Sequence, residues 1–314
     1  MIKDSYGRTI RYLRLSVTDL CNYRCIYCMP ESGVRKKEHN DILSIEEMTE
    51  IVRAAHALGI DKIRLTGGEP LIRKGIVTLC WNIKAIGDIE LGITTNGSLL
   101  APMAKDLKDA GVDRLNISLD SLNPDTFKNI TRGGNPRDVL DGIEAAHQAG
   151  FDNIKINTVL LKGINENDIL DLVMLTKDQN IHVRFIELMP LGVAKHWSAE
   201  RFMTSAAIEK HLRNARLLRI DGVARVYGLP GNKGTIGLIC PMSQSFCPSC
   251  NKIRVTADGK LKPCLHSDQE IDLRGLQGAE LEIAIKNGIL QKPESHRFGL
   301  AGSVTERCMN EIGG

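Results

Sequence analysis

Short runs rich in β-branched and apolar residues alternate with longer helical patterns over the first 190 residues or so. The runs occupy residues 11–17, 61–66, 90–95, 113–119, 153–160 and 181–188. Candidate helices cover 44–58, 99–110, 137–149 and 167–179, and a capping box of Ser44 and Glu47 begins the first. Strand followed by helix, repeated about six times, predicts a parallel sheet with helical cover. Periodicity leaves open whether this sheet closes into a barrel.

Turn-forming residues follow several of these strands: TGGEP the second, TNG the third, SLDS the fourth and MP the sixth. Such residues also form ordinary turns. Ligands, however, bind at the carboxyl ends of strands in barrels and in open α/β sheets. Four such ends at one edge therefore predict a ligand site there.

The pattern changes after about residue 190, where a helix near 205–214 leads into short strands and glycines. We therefore predict an α/β domain over 1–194 and a C-terminal extension over 195–314. No apolar run reaches membrane-spanning length and the N-terminus has no apolar signal core. These features predict a cytoplasmic protein without a membrane partner, and the net charge of +3 is too weak to indicate nucleic acid.

The first of two cysteine sets follows the first strand. Cys21, Cys25 and Cys28 have the spacing C-x3-C-x2-C. In a reducing compartment clustered cysteines indicate metal ligands, and thiolates suit zinc or iron–sulfur clusters. Three thiolates on a four-iron cluster would leave one iron open to a ligand, as a catalytic zinc keeps one position open. A zinc site with a fourth ligand elsewhere remains an alternative.

The second set has the spacing C-x2-C-x13-C, and an ADG turn between strand-like runs predicts a hairpin that returns its last cysteine toward the first two. Its members are Cys247, Cys250 and Cys264. A zinc ribbon would need one more ligand, which His266 or Cys240 could supply. Cys240 is otherwise interpreted as an inert core thiol.

The first set, with Tyr27 before its last cysteine and GGEP at 67–70, resembles the radical S-adenosylmethionine (SAM) superfamily. The resemblance implies a [4Fe–4S] cluster whose open iron is chelated by SAM. One electron then cleaves SAM to methionine and a 5′-deoxyadenosyl radical. On this interpretation Tyr27, Gly68, Ser118 and Met189 contact the cofactor.

Several longer strings narrow the resemblance over residues 7 to 314. GRTIRYLRLSVTDLCNYRCIYCMP, NISLDSL, KINTVLLKGIN, RFIELMP, the second cysteine set and the terminal IGG resemble the GTP 3′,8-cyclase family of molybdenum cofactor biosynthesis. The resemblance implies an incomplete (β/α)6 TIM-type barrel whose C-terminal extension carries a second [4Fe–4S] cluster. It also implies a reaction in which the radical takes the 3′ hydrogen of GTP and the ribose then bonds to C8, giving (8S)-3′,8-cyclo-7,8-dihydroguanosine 5′-triphosphate.

Basic residues in otherwise apolar strands are the main candidates for substrate binding. Lys62 and Arg64 are two apart and face the same side of their strand. A buried cation is costly unless paired, and a polyanion in a lumen would supply the partner, whereas outward-facing cations at strand ends would be solvated. The resemblance implies substrate contacts from Arg14, Lys62, Arg64, Thr95, Lys155, Arg184, Lys252 and Arg254. It further implies that Arg254, Gly313 and Gly314 support catalysis.

One residue departs from the family pattern. Lys252 stands where the CNRxR motif has its first arginine, and lysine keeps the charge but loses the planar fork. The resemblance also implies several partners: a low-potential electron donor of the flavodoxin or ferredoxin type, cyclic pyranopterin monophosphate synthase as acceptor of the product, and a homodimer as one oligomeric state.

Two other functions are weighed against this one. A radical SAM peptide-maturing enzyme with auxiliary clusters would usually carry more C-terminal cysteines than the three in the second set. A zinc-ribbon nucleic-acid-binding protein would use aromatic stacking platforms, but only 4% of the residues are aromatic.

Overall fold

Six parallel strands form the centre of the molecule in a computed structural model that describes residues 1–34, 37–212, 214–296 and 303–313. Each falls on one of the six predicted runs. The strands are β1 (Tyr12–Ser16), β2 (Lys62–Thr66), β3 (Glu90–Thr95), β4 (Arg114–Ser118), β5 (Ile154–Leu160) and β6 (Ile181–Glu187). They pair in sequence order, as expected of successive right-handed strand–helix–strand units.

Helices cover the outer face of these strands. The barrel helices are α1 (Ile45–Ala57), α2 (Ile76–Lys84), α3 (Leu100–Asp109), α4 (Pro124–Thr131), α5 (Pro136–Gln148) and α6 (Ile169–Asp178). The predicted capping box begins α1, since the Ser44 hydroxyl accepts from the Glu47 amide at 3.1 Å. The sequence prediction missed α2, whose segment IVTLCWNIK begins after Gly75 without a side-chain cap. It also missed α4, although Asn123 caps it and proline occupies its first turn.

The C-terminal extension adds strands to both edges of the same sheet. Its elements are α7 (Ser198–Arg201), α8 (Ser205–Glu209), β7 (Arg216–Asp221), β8 (Ala224–Gly228), β9 (Thr235–Ile239), β10 (Lys252–Val255), β11 (Lys260–Lys262), β12 (Ile271–Asp272), α9 (Gly278–Leu290) and α10 (Met309–Ile312). β9 pairs in parallel with β6, and β10 in parallel with β1. In the described ranges twelve strands thus form one sheet, which continues across the predicted boundary at residue 194.

Apolar and polar side chains alternate along the strands, so that the sheet has one buried apolar face and one polar face. Leu13 and Leu15 of β1 are at most 1% exposed and belong to the large hydrophobic core. Arg14 lies between them and points the other way, in register with Arg64 and Arg254 on the neighbouring strands. The period of two therefore places the basic residues on the lumen side, as predicted. Among the described residues, no helix has the length and apolarity needed to cross a membrane.

Candidate active site

The first cysteine set lies in the loop after β1, at the carboxyl edge of the sheet. Burial raises the pKa of Cys21 to about 11. Burial and the charge of Cys21 raise that of Cys28 to about 12. The pKa of Cys25 is raised by burial and by the charges of Cys28, Asp120 and Cys21. The three thiols therefore lie within range of one another's charge, and coordination to a metal would hold them ionised in spite of their mutual repulsion.

Nitrogen donors already face this sulfur group. The Cys21 sulfur accepts from the Tyr23 amide at 3.3 Å and from Asn96 Nδ2 at 3.8 Å. Hydrogen bonds of this kind to sulfur tune iron–sulfur clusters. The donor set and its surroundings fit such a cluster.

The second cysteine set lies where β10 and β11 form the predicted hairpin, with Arg254 opposite Lys262. The Cys247 sulfur accepts from the His296 amide at 3.5 Å. Burial alone would raise the pKa of Cys250, but the charges of Lys292 and Lys252 outweigh it and lower that pKa. Cationic surroundings of this kind fit an anionic thiolate cluster.

A single zinc ion fits less well. In the part of the chain that the structure describes, no three His, Cys, Asp or Glu side chains converge closely enough to hold one metal ion. Zinc keeps its thiolates at about 2.3 Å, whereas a four-iron cluster distributes them over separate irons. Cys240 lies in the hydrophobic core, as predicted, and the His266 ring contacts Ser303 and His296.

The GGEP loop packs directly on the chain that leads to the first cysteine. A Cβ atom on Gly68 would lie 2.2 Å from the carbonyl oxygen of Leu20. Glycine at this position thus allows the GGEP loop to approach the cysteine loop closely. Buried Glu69 accepts from the Thr95 hydroxyl at 2.7 Å and from the Asn96 amide at 2.6 Å. Thr95 therefore lies on the face of β3 away from the lumen, with its hydroxyl engaged.

The other predicted cofactor contacts also lie at strand ends. Tyr27 donates its hydroxyl to Asp120 Oδ2 at 2.6 Å, and Asp120 Oδ1 accepts from the Val159 amide at 2.8 Å. Ser118 ends β4 and Met189 follows β6. Asp120 was not predicted, although it stands in the SLDS motif.

Buried oxygens between the two ends of the lumen lack partners. Within the described ranges, Thr94 Oγ1, Asn116 Oδ1 and Asn157 Oδ1 accept no hydrogen bond from the protein. Thr94 is in register with Asn116, and Asn157 with Arg184, so the three lie on adjacent strands and face inward. Unpaired buried acceptors in a polar lumen are the expected sign of a ligand that donates to them.

The predicted cations of β2, β5 and β6 hold two carboxylates. Lys62 Nζ lies 3.0 Å from Glu90 Oε1, which Arg114 also contacts at 2.9 Å. Lys155 and Arg184 share Asp221 Oδ2, at 3.1 and 2.7 Å. Lys155 and Arg184 are only 10% and 13% exposed, which argues against solvated strand-end cations there, whereas Lys62 begins β2 and is 34% exposed.

A cavity of 210 Å³ lies against the second pair. Its walls include Arg114, Lys155, His182, Arg184, Arg219 and Asp221. Burial and the charges of Lys155 and Arg184 lower the pKa of His182 to about 4, so this imidazole is neutral near pH 7. The cavity is thus lined by cations with one carboxylate among them.

Tyr12 lies among the cations of β1, β2 and β10. Its hydroxyl accepts from Arg64 Nε at 2.8 Å, and the Lys252 ammonium lies 5.7 Å from the ring centroid. Burial would raise the pKa of Tyr12, but the charges of Arg64, Arg14 and Lys252 outweigh it and lower that pKa to about 8. Tyr12 shares its strand face with Arg14, two residues on, and this spacing could have identified it from sequence.

The described part of the C-terminal tail reaches into the lumen at Gly313. The Gly313 carbonyl accepts from Arg254 Nη1 at 2.6 Å and from Arg14 Nε at 3.2 Å. Outside the lumen, Arg307 anchors the tail. Its guanidinium donates to Glu270 at 2.6 and 2.7 Å and to Asp258 at 3.1 Å. Gly314, predicted with Gly313, lies outside the described residues.

The chain matches two family models that together cover most of its length. Residues 15–176 match the radical SAM superfamily and residues 181–298 match Molybdenum Cofactor Synthesis C. A GTP 3′,8-cyclase of Alkaliphilus metalliredigens is 48% identical over the whole of both chains. One of Peptoclostridium acidaminophilum is 48% identical over the whole of this chain and 98% of its own. This chain belongs to the GTP 3′,8-cyclase family.

Family membership makes the chain a radical SAM enzyme of molybdenum cofactor biosynthesis and implies SAM, one [4Fe–4S] cluster and an additional cluster. The peptide-maturing and zinc-ribbon alternatives are therefore set aside. Streptococcus suis SuiB bound to S-adenosylmethionine shares the fold with a TM-score of 0.67 at 14% identity, over 91% of this chain and 72% of its own. The predicted fold class is confirmed, with the correction that β9 and β10 of the extension lengthen the parallel sheet.

Proposed function

We propose that this enzyme converts GTP to (8S)-3′,8-cyclo-7,8-dihydroguanosine 5′-triphosphate, an early step of molybdenum cofactor biosynthesis. The observation that carries the proposal is a lumen with a large excess of positive charge between two three-cysteine sets. Its cations are Arg14, Lys62, Arg64, Arg114, Lys155, Arg184, Lys252 and Arg254, against the carboxylates of Glu90 and Asp221. A triphosphate matches this excess through charge-assisted hydrogen bonds.

The carboxyl end of the lumen holds the radical source. Cys21, Cys25 and Cys28 would hold the first cluster, and Tyr27, Gly68, Ser118 and Met189 would contact SAM. When bound there, the cluster and SAM would supply the radical chemistry that removes the 3′ hydrogen of the substrate. The protein's own contribution is position: the bond of Tyr27 to Asp120 and the packing of Gly68 on Leu20 keep both loops in place.

The substrate occupies the space between the two sets. Arg14, Arg64, Lys155 and Arg184 bind the triphosphate, while the unpaired acceptors of Thr94, Asn116 and Asn157 suit ribose or amine donors. Cys247, Cys250 and Cys264 would hold the second cluster beside the base. Lys62 and Lys252 add charge, and Thr95 acts only through Glu69 because its hydroxyl is already bonded there.

Arg254 and the terminal glycines organise the middle of the lumen. Arg254 holds the Gly313 carbonyl, which extends the tail between the ends of β1 and β2 toward the reacting ribose. We assign Gly313, Gly314 and Arg254 the role of orienting the substrate and keeping water out, which prevents quenching of the substrate radical.

Wider features of the enzyme follow from the same proposal. It works in the cytoplasm, with residues 1–194 as the radical SAM partial barrel and 195–314 as the extension, and a homodimer is one oligomeric state open to it. A flavodoxin- or ferredoxin-type protein supplies the electron. Cyclic pyranopterin monophosphate synthase accepts the product.

The test is anaerobic turnover of reconstituted enzyme with reductant, SAM and GTP deuterated at the ribose 3′ position. We expect deuterium in the 5′-deoxyadenosine and a cyclised nucleotide in equal amount, both measured by mass spectrometry. Unlabelled 5′-deoxyadenosine with unchanged GTP would reject GTP as substrate. Iron and zinc analysis of the same sample tests the clusters, for which we expect about eight irons per chain, that is two [4Fe–4S] clusters.

A further inference from the structure

Asp221 occupies the position in which a phosphate oxygen of the substrate would be expected. One oxygen, Oδ2, accepts from both Lys155 Nζ at 3.1 Å and Arg184 Nη2 at 2.7 Å. The two cations come from neighbouring barrel strands, and their side chains are only 10% and 13% exposed. An oxygen shared by an ammonium and a guanidinium is the arrangement in which these groups also bind phosphate.

The carboxylate reaches this position from outside the barrel. Asp221 ends β7, the edge strand of the sheet, and pairs with Ala224 across a two-residue turn with Gly222 at φ +62°. The rest of β7 packs on little, since Leu217 is 57% and Ile220 is 72% exposed. The β7 arm that carries Asp221 therefore makes few apolar contacts, whereas Ala224 across the turn is buried, so the displacement is expected to involve the β7 side of the tip.

The cations need an anion whether or not substrate is bound. Burial and the charge of Arg184 lower the pKa of Lys155 to about 8, and Asp221 opposes both effects. Without a carboxylate, the ammonium and guanidinium would repel each other in a partly dry cavity. With triphosphate present, Asp221 would itself be repelled, because it would lie next to a second anion on the same two cations.

We propose that Asp221 is an internal stand-in for a substrate phosphate, which keeps Lys155 and Arg184 assembled in the free enzyme and is displaced when the triphosphate binds. The inference rests on the proposed function in that it assumes a polyphosphate substrate. Because the Asp221 carboxylate must be displaced, the triphosphate binds more weakly than it would to the two cations alone. It also sets a charge requirement, because a ligand must neutralise both cations to replace the carboxylate.

The test measures binding to the anaerobic holoenzyme by calorimetry for wild type and Asp221→Asn. The ligands are GTP, inorganic triphosphate and guanosine. Removing one competing carboxylate, which is 39% exposed, should tighten the binding of GTP and of triphosphate about five- to tenfold. Guanosine, which has no phosphate, should bind equally to both proteins.

Glu209→Gln is the matched control. Glu209 pairs with Arg225 of the same hairpin at 2.8 Å, on the strand face opposite Val226, which lines the cavity. The substitution Glu209→Gln removes a nearby carboxylate that does not contact Lys155 or Arg184, so the affinity for triphosphate should not change. Thermal unfolding checks that each variant is folded, and Asp221→Ser replaces Asp221→Asn if the latter is not.

Two outcomes would overturn the inference. Weaker triphosphate binding in Asp221→Asn would mean that the carboxylate organises the bound state, for example by holding a magnesium ion. Unchanged binding would mean that Asp221 stays in place and does not compete. If inorganic triphosphate follows the expected pattern while GTP does not bind at all, the inference stands and the proposed substrate fails.

Discussion

Arg254 Nη1 donates to the carbonyl oxygen of Gly313 at 2.6 Å, joining the hairpin of the second cysteine set to the end of the chain. Arg14 of the first barrel strand donates to the same oxygen at 3.2 Å. Three distant segments thus meet at one carbonyl group in the lumen. Predictions about the tail follow directly from this contact.

Gly313→Ala should abolish the docked position of the tail. Gly313 has φ +70°, and a Cβ atom there would lie 2.2 Å from Thr66 Oγ1. Because a misplacement near 1 Å costs about a hundredfold in rate, kcat for GTP cyclisation should fall by that order while GTP affinity changes little. Gly275→Ala is the control, since Gly275 has φ +75° and open space around its Cβ. Equal loss in both variants would indicate backbone strain instead of a steric clash.

Arg307→Lys should weaken the anchor that holds the tail in place from outside the lumen. Arg307 makes a fork to Glu270 and also reaches Asp258, and lysine cannot reproduce that geometry. Losing about 1.5–3 kcal/mol of charged hydrogen bonding should lower the docked fraction, which is measured as faster hydrogen exchange over 303–313 and slower GTP conversion. Arg53→Lys alters an exposed pair with Glu50 and should change neither. Unchanged exchange in Arg307→Lys would contradict the anchor role.

Arg64→Ala should weaken GTP binding about ten- to a hundredfold while SAM cleavage stays measurable. Arg64 is 5% exposed and donates to Tyr12 and to the Ile93 carbonyl. Gly92→Ala tests the same point without changing charge, because its Cβ would lie 2.6 Å from the guanidinium carbon and displace it. Parallel loss of GTP binding and SAM cleavage would mean instead that Arg64 supports the fold.

Above about pH 7, GTP affinity should fall as the pH rises through about 8. Lys155 has a pKa lowered to about 8, chiefly by burial, so it loses its charge as the pH rises through that value. Tyr12, whose pKa is also about 8, gains a negative charge in the same window, and both changes disfavour an anion. Calorimetric titrations between pH 7 and about 9.5 should show the fall in wild type. The fall in affinity should be smaller in Lys155→Arg and in Tyr12→Phe. An undiminished fall in both variants would show that neither group causes it.

Lys292→Met should lower the reduction potential of the second cluster by tens of millivolts. Lys292 is 3% exposed, donates to the carbonyls of Lys252 and Pro263, and lies close enough to Cys250 to lower its pKa. Removing a nearby positive charge stabilises the more oxidised cluster. Anaerobic redox titration followed by electron paramagnetic resonance measures the shift. Exposed Lys286→Met, on α9, should leave the potential unchanged.

Much of the site could be predicted because its signals are local. The period of two in β1 and β2 assigns Arg14, Lys62 and Arg64 to one face, and the six strand runs were all found. The short spacings of the first cysteine set, and of Cys247 and Cys250 in the second, leave few arrangements other than a common centre, whereas Cys264 depends on the predicted hairpin. Helix α2 was missed because IVTLCWNIK has the β-branched, apolar character of a strand and lacks a polar cap. Packing of this segment against the sheet and its neighbouring elements overrides the local preference for a strand.

Other relationships lie beyond any local pattern. Gly313 accepts from a residue 299 positions away, and Asp221 reaches Lys155 across 66 residues from an exposed edge strand whose sequence shows no sign of a partner in the barrel. Periodicity is sufficient to predict which side chains share one face of a strand, and spacing groups the cysteines into two sets. Which cation faces which anion depends on sheet register, hairpin position and the path of the tail, because those long-range contacts form only when distant segments pack together.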